Sequence, residues 1–137
     1  MDESNGQVMR RAFEEIMNHG NVAAINELFA SDFTGHDTSG GTFGREEFRE
    51  GVLDMLSAFS DRQVKIADQV VAEDKVVTRW QATGVHAGEF NGIPATGRRV
   101  SLTGISIDRI AGGRIVESWE VTDDAGLLRQ LGVDPTS

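Results

Sequence analysis

Near Asp61 the hydrophobic pattern of this chain changes from a helical period to an alternating one, and it stays alternating almost to the end. Before that point, Val8, Ala12, Phe13 and Ile16 recur at helical spacing over residues 5–19, opposite Arg10, Arg11, Glu14 and Glu15. Gly20 supplies a stop. A second helix is predicted after Asn21, carrying Val22, Ile25, Leu28 and Phe29. Residues 32–37 read as a loop or a short extended piece. Phe48, Val52, Met55, Leu56 and Phe59 then mark a third helix over 45–59.

After Asp61, Val64, Ile66, Val70 and Val71 predict a strand that ends at a Glu73-Asp74-Lys75 turn. Residues 76–86 form a second β stretch, and a glycine-rich loop fills 88–97. Two more stretches, 100–110 and 114–122, are joined by Ala111-Gly112-Gly113, a hairpin signal. Leu127 to Gly132 reads as a closing helical turn. Helices first and strands afterwards is an α+β order, not an alternating βαβ one. The economical architecture is one domain over 1–137: a curved antiparallel sheet with three helices on one face, a cone enclosing a pocket.

Composition narrows the partners. A formal charge of −9 argues against nucleic acid, which is held by clustered Lys and Arg. No apolar run approaches the roughly 20 residues that span a bilayer. The acidic start, Met1-Asp2-Glu3, is unlike a secretory signal, so a cytoplasmic protein is expected. Without cysteine there is no disulfide, thiolate nucleophile or thiolate metal site. No metal site is predicted: His86 and Glu89 have His-x-x-Glu spacing, but on a strand they face opposite ways. The Gly-Gly pairs at 40–41 and 112–113 lack the context of a phosphate loop, and no Gly-x-Ser-x-Gly elbow occurs.

The densest motif lies between Arg79 and Gly132. The run Arg79-Trp80-Gln81-Ala82-Thr83-Gly84-Val85-His86-Ala87-Gly88-Glu89-Phe90, followed by Gly92-Ile93-Pro94-Ala95-Thr96-Gly97-Arg98-Arg99-Val100, resembles the central hairpin of the SnoaL-like polyketide cyclases. Gly113-Arg114-Ile115-Val116-Glu117-Ser118-Trp119-Glu120, with the tail Leu127-Leu128-Arg129-Gln130-Leu131-Gly132, is similar to that family's last strand and terminus. The resemblance covers roughly residues 7–132. It implies the cone fold shared with nuclear transport factor 2, ketosteroid isomerase and scytalone dehydratase, a homodimer, and a small-molecule substrate. It also implies an intramolecular aldol condensation on a polyketide, run without metal or cofactor. The family's acid/base carboxylate falls on Glu120, where the cyclases carry Asp, and two cyclase histidines fall on Ser106 and Ser118.

Glu120, His86 and His36 are therefore the candidate catalytic residues. Glu120 is the base, and either histidine polarises an oxygen or carries the proton. Arg79, Trp80, Trp119, Ser118 and Asp37 are the candidate substrate contacts. The bland alternatives are a solvated Glu120, rim histidines, an Arg79 paired with Glu120 or Glu117, and tryptophans that are merely core or interface. Alternation places Arg114, Val116, Ser118 and Glu120 on one strand face, and Ile115, Glu117, Trp119 and Val121 on the other. Three functions stay open: a cyclase, a hydroxylase, isomerase or dehydratase in the same pocket, or a ligand-binding dimeric domain.

Overall fold

A computed structural model describes residues 4–133. Helix α1 (Asn5–Arg11) starts at Ser4, whose hydroxyl accepts from the Gln7 N–H at 3.2 Å. It runs on as a π-helical segment, Ala12–Asn18. Helix α2 (Ala24–Leu28) follows, and then strands β1 (Phe29–His36) and β2 (Thr42–Phe43). Helix α3 (Arg45–Ala58) begins where the Glu47 carboxylate accepts from the Gly44 N–H at 3.1 Å. Four long strands complete the sheet: β3 (Phe59–Ala72), β4 (Lys75–His86), β5 (Arg99–Ala111) and β6 (Arg114–Thr122). The chain closes on α4 (Asp124–Gln130), capped by Asp123.

The predicted cone is present, with one correction to the sheet. Its order is β2-β1-β6-β5-β4-β3, and β1 pairs parallel to β6, so the sheet is mixed. Of residues 32–37, 32–36 take the extended alternative as part of β1, and Asp37 lies just past its end. Phe29, Phe33 and Gly35 alternate into the core, and the chain enters β1 directly from α2 without a reversal. Phe29 opens this strand and does not continue the second helix.

Alternation along β4 and β5 is regular. Val76, Thr78, Trp80, Gly84 and His86 point inward from β4, and Val100, Gly104, Ser106, Asp108 and Ile110 from β5. The inner face meets Val8, Ile16, Ile25 and Leu28 from the helices. Glycine is required at 104, because a Cβ there would lie 2.4 Å from the Trp80 ring.

The predicted faces of β6 hold only for its second half. Arg109 pairs with Glu117 but Ile110 pairs with Ile115, so one extra residue is inserted on β6. This bulge turns Ile115 inward, fully buried, on the same side as Ser118 and Glu120.

Candidate active site

Inner-face residues of β5 and β6 form the polar floor of a cavity. Ser106 lies opposite Glu120, and Asp108 lies opposite Ser118. All four line one cavity of about 630 Å³, including the space open at its mouth. The roof and walls are apolar. Met9, Phe13, Ile16 and Met17 come from the first helix and its π-helical continuation, and Phe29, Phe33, Phe43 and Phe48 from β1, β2 and α3. Phe29 stands edge-on to Phe33 at 5.0 Å and packs on Phe48 at 4.5 Å. A flat aromatic guest would meet rings on one side and carboxylates on the other.

Two carboxylates share this floor with no arginine or lysine among the residues that line it. Burial pushes Asp108 up to about 6, against the pull of the neighbouring Ser118 and Ser106 hydroxyls. Glu120 rises to about 7, first because protein surrounds it, and then because the Asp108 and Asp124 carboxylates repel its charge. The two differ in access. Asp108 is sealed at 3% exposure, whereas Glu120 faces the cavity and remains open to solvent, which relieves part of its burial penalty.

Of the three residues expected to catalyse, the cavity gathers two. His36, at the end of β1, reaches the rim, with Nε2 2.7 Å from Glu117 and its ring stacked on Trp119 at 5.0 Å. Glu117 also accepts from Arg109 Nε at 3.1 Å. The His36 hydrogen bond, helped by Arg109, holds the Glu117 carboxyl below the usual range. His86 lies elsewhere. It is fully buried at the far end of β4, eight residues and roughly 26 Å of strand from Thr78. Its Nδ1 accepts from the Thr96 N–H at 3.2 Å, and its ring packs on Phe59. It anchors the 88–97 loop and does not reach Glu120's cavity.

Ser118 joins Glu120 in the cavity; the other expected substrate contacts do not. Arg79 points from the outer sheet face and pairs with Asp68 on the next strand, with Nε 2.8 Å from its carboxylate. Neither Glu120 nor Glu117 is its partner. Trp80 is core, 6% exposed and packed on Phe13. Trp119 lies outside, against His36. Asp37 closes its own loop by accepting from Ser39 and Gly41, and these bonds lower its carboxyl. The aromatic walls come instead from phenylalanines distant in sequence. Asp108 escaped the sequence reading, although an acid on the inward phase of β5, between Gly104, Ser106 and Ile110, was the available signal.

The SnoaL-like polyketide cyclase model matches residues 7–131. The chain belongs to the SnoaL-like polyketide cyclase family. Aklanonic acid methyl ester cyclase DnrD of Streptomyces peucetius is 34% identical over 92 residues, 65% of this chain. That match spans 62% of DnrD, less than two thirds of its length. The proposed polyketide cyclase IdmH of Streptomyces antibioticus superimposes with a TM-score of 0.84 at 31% identity, over 96% of this chain and all of IdmH. The proposed hydroxylase AclR of Streptomyces galilaeus has a TM-score of 0.84 at 27% identity, over 94% of this chain and 83% of AclR. In this SnoaL-like chain, Ser106, Ser118 and Glu120 are the strand positions of the family resemblance that face the cavity. Among the described residues no helix is long and apolar enough to cross a membrane, and no group of His, Asp and Glu is arranged to hold a metal.

Proposed function

We propose that the chain is an acid/base enzyme that needs no cofactor and closes a ring on a polyketide-like carbonyl substrate. The observation that carries this reading is Glu120, a carboxylate raised to about 7 and open to an aromatic-walled cavity. A base of that strength is suited to a proton made acidic by two flanking carbonyls. In the proposed reaction, Glu120 takes the α-proton and the C–H electron pair moves into an enolate. The enolate carbon attacks a second carbonyl within the same molecule and forms one C–C bond. The new alkoxide takes the proton back from Glu120, so substrate and product are isomers. In this reading His36, hydrogen-bonded to Glu117 at the rim, relays that proton. Ser106 and Ser118, where cyclases carry histidine, offer hydroxyls to substrate oxygens.

Aklanonic acid methyl ester, the compound in DnrD's name, is the first substrate to try. The expected outcome by mass spectrometry is a cyclised product of unchanged mass, with α-hydrogen exchange in D2O. A product heavier by one oxygen would favour the hydroxylase reading, which the likeness to AclR motivates. No exchange across a panel of aromatic β-keto esters would remove the acid/base reading and leave a binding domain. The proposal includes a dimer formed through the outer sheet face, where Ile105, Ile107 and Val121 stand exposed. Light scattering should give about twice the chain mass of 14.9 kDa, and a monomer mass would discard the pairing.

A further inference from the structure

Two residues of the cavity floor are nearly sealed and yet chemically unsatisfied. Asp108 and Ser106 are each 3% exposed and line the cavity, and neither Asp108 Oδ2 nor Ser106 Oγ has a hydrogen-bond partner among the described residues. Thr78, paired with Ser106 across β4 and β5, is fully buried, and its hydroxyl is unpartnered as well. Folded proteins seldom leave several such atoms together, and a guest that bonds to them is one reason they do. The Ser118 and Ser106 hydroxyls stand close enough to favour the charged form of Asp108. That form only accepts hydrogen bonds, so what it lacks is a donor.

The charge of the floor narrows the kind of donor. Asp108 and Glu120 are diagonal across the β5–β6 ladder, with backbones roughly 7–8 Å apart, close enough for one small group to touch both side chains. Among the described residues, no arginine or lysine lines this cavity. The first helix and its continuation present Met9, Phe13, Ile16 and Met17. Strands β1 and β2 and helix α3 present phenylalanines, with His36 at the rim hydrogen-bonded to Glu117. Helix α4 adds the further negative charge of Asp124 near Glu120. Arg109 pairs with Glu117 on the opposite sheet face. A water or a neutral hydroxyl would fill the open hydrogen bonds but leave both negative charges uncompensated in apolar surroundings. An ammonium group supplies N–H donors and the missing positive charge together, and the faces of phenylalanine rings attract it further.

We propose that the cavity takes an organic cation, a flat and mostly apolar molecule whose protonated amine sits on the floor between Asp108 and Glu120 and donates to Asp108 Oδ2 and Ser106 Oγ. This names a group carried by the substrate, and it rests on the acid/base reading only for the claim that the ligand is a substrate. The binding itself does not need Glu120 to react. Asp108 acts here as an ionised acceptor that orients the ligand, with the rings of Phe29, Phe33 and Phe48 against its apolar body.

Calorimetry on the full-length chain with three probes of one shape tests the site. 2-Naphthylmethylamine is the cation, 2-naphthalenemethanol the neutral match and 2-naphthoate the anion. At pH 8 the amine is expected to bind about 10–100-fold tighter than the alcohol, the usual size of a hydrogen bond to a charged group, and the naphthoate weakest of all. Amine affinity should climb from pH 5 to pH 8, because the cation favours the ionised forms of Asp108, at about 6, and Glu120, at about 7. Proton release on binding between those values should accompany the climb, and alcohol affinity should not rise with pH. Asp108→Asn keeps the shape and removes the charge. It should weaken the amine about 10–100-fold and leave the alcohol unchanged, which separates loss of the charge from damage to the cavity. An alcohol that binds as tightly as the amine at pH 8, or amine binding unmoved by Asp108→Asn, overturns the cation site. A clear amine preference without α-hydrogen exchange on any substrate removes the acid/base reading and leaves the cation site standing. Exchange on neutral β-keto esters with no amine preference does the reverse.

Discussion

Replacing Glu120 by glutamine is expected to lower kcat about 10²–10⁴-fold, the usual contribution of a positioned general base, with KM little changed. The amide has the same shape but cannot take a proton. Glu120 has no side-chain hydrogen bond among the described residues, so the exchange breaks none. Its neighbours in the cavity, Ser106 and Ser118, would meet an amide of equal size. An effect confined to kcat separates loss of the base from loss of binding. With Glu120 as the base, the wild-type kcat/KM should climb through about pH 7, where Glu120 becomes ionised. Glu120→Asp, the residue of the cyclases at this position, should retain part of the rate, because the carboxylate is kept and only its reach shortens. Full turnover by Glu120→Gln would remove Glu120 from the chemistry.

Asp108→Asn is expected to stabilise the protein above neutral pH and to flatten its dependence on pH. Asp108 titrates at 3.8 in a model peptide and at about 6 when folded, so the native state holds its proton more tightly. For a raised carboxyl, the stability it allows is fully present below about pH 4 and is lost as pH rises through about 6. Two pKa units correspond to about 3 kcal/mol, an upper bound on what ionising this buried group costs. Glu120 is shifted in the same direction and adds to the trend, less so because the cavity leaves it open to solvent. Wild-type stability from urea melts should therefore fall between pH 5 and pH 8. Asp108→Asn should recover about 1–3 kcal/mol at pH 8 and change little at pH 4. A wild-type curve that is flat over that range, or a variant weaker at pH 8, would show that Asp108 ionises in the fold without penalty.

The alternation of the long strands was legible in the sequence because each strand is buried on one face only. Val76 to His86 and Val100 to Ile110 could therefore be read by parity, and β6 matched its predicted bounds of 114–122. The same parity failed at Ile115. A bulge needs only one extra residue opposite a continuous strand, and Val116 carries no local mark of it. β1 was hidden for a related reason. Asp32, Thr34 and His36 look like loop residues, and that backbone finds its partners in the parallel edge of β6 and in the short β2.

Local sequence determined which residues could do chemistry, and Glu120 was recognisable by its place in a family motif. Which of them meet was decided by strand register and chain path. His86 and Glu120 are both inward-facing strand residues, yet they lie toward opposite ends of the sheet. Asp108, passed over in the sequence, comes beside Glu120 because β5 and β6 pair Ser106 with Glu120 and Asp108 with Ser118. Arg79 and Trp119 were turned outward by parity, and phenylalanines from β1, β2 and α3 took the place expected of the tryptophans. Patterning along a chain records which side chains seek burial. Pairing across strands adds what lies opposite, and the chemistry of this cavity depends on that second fact.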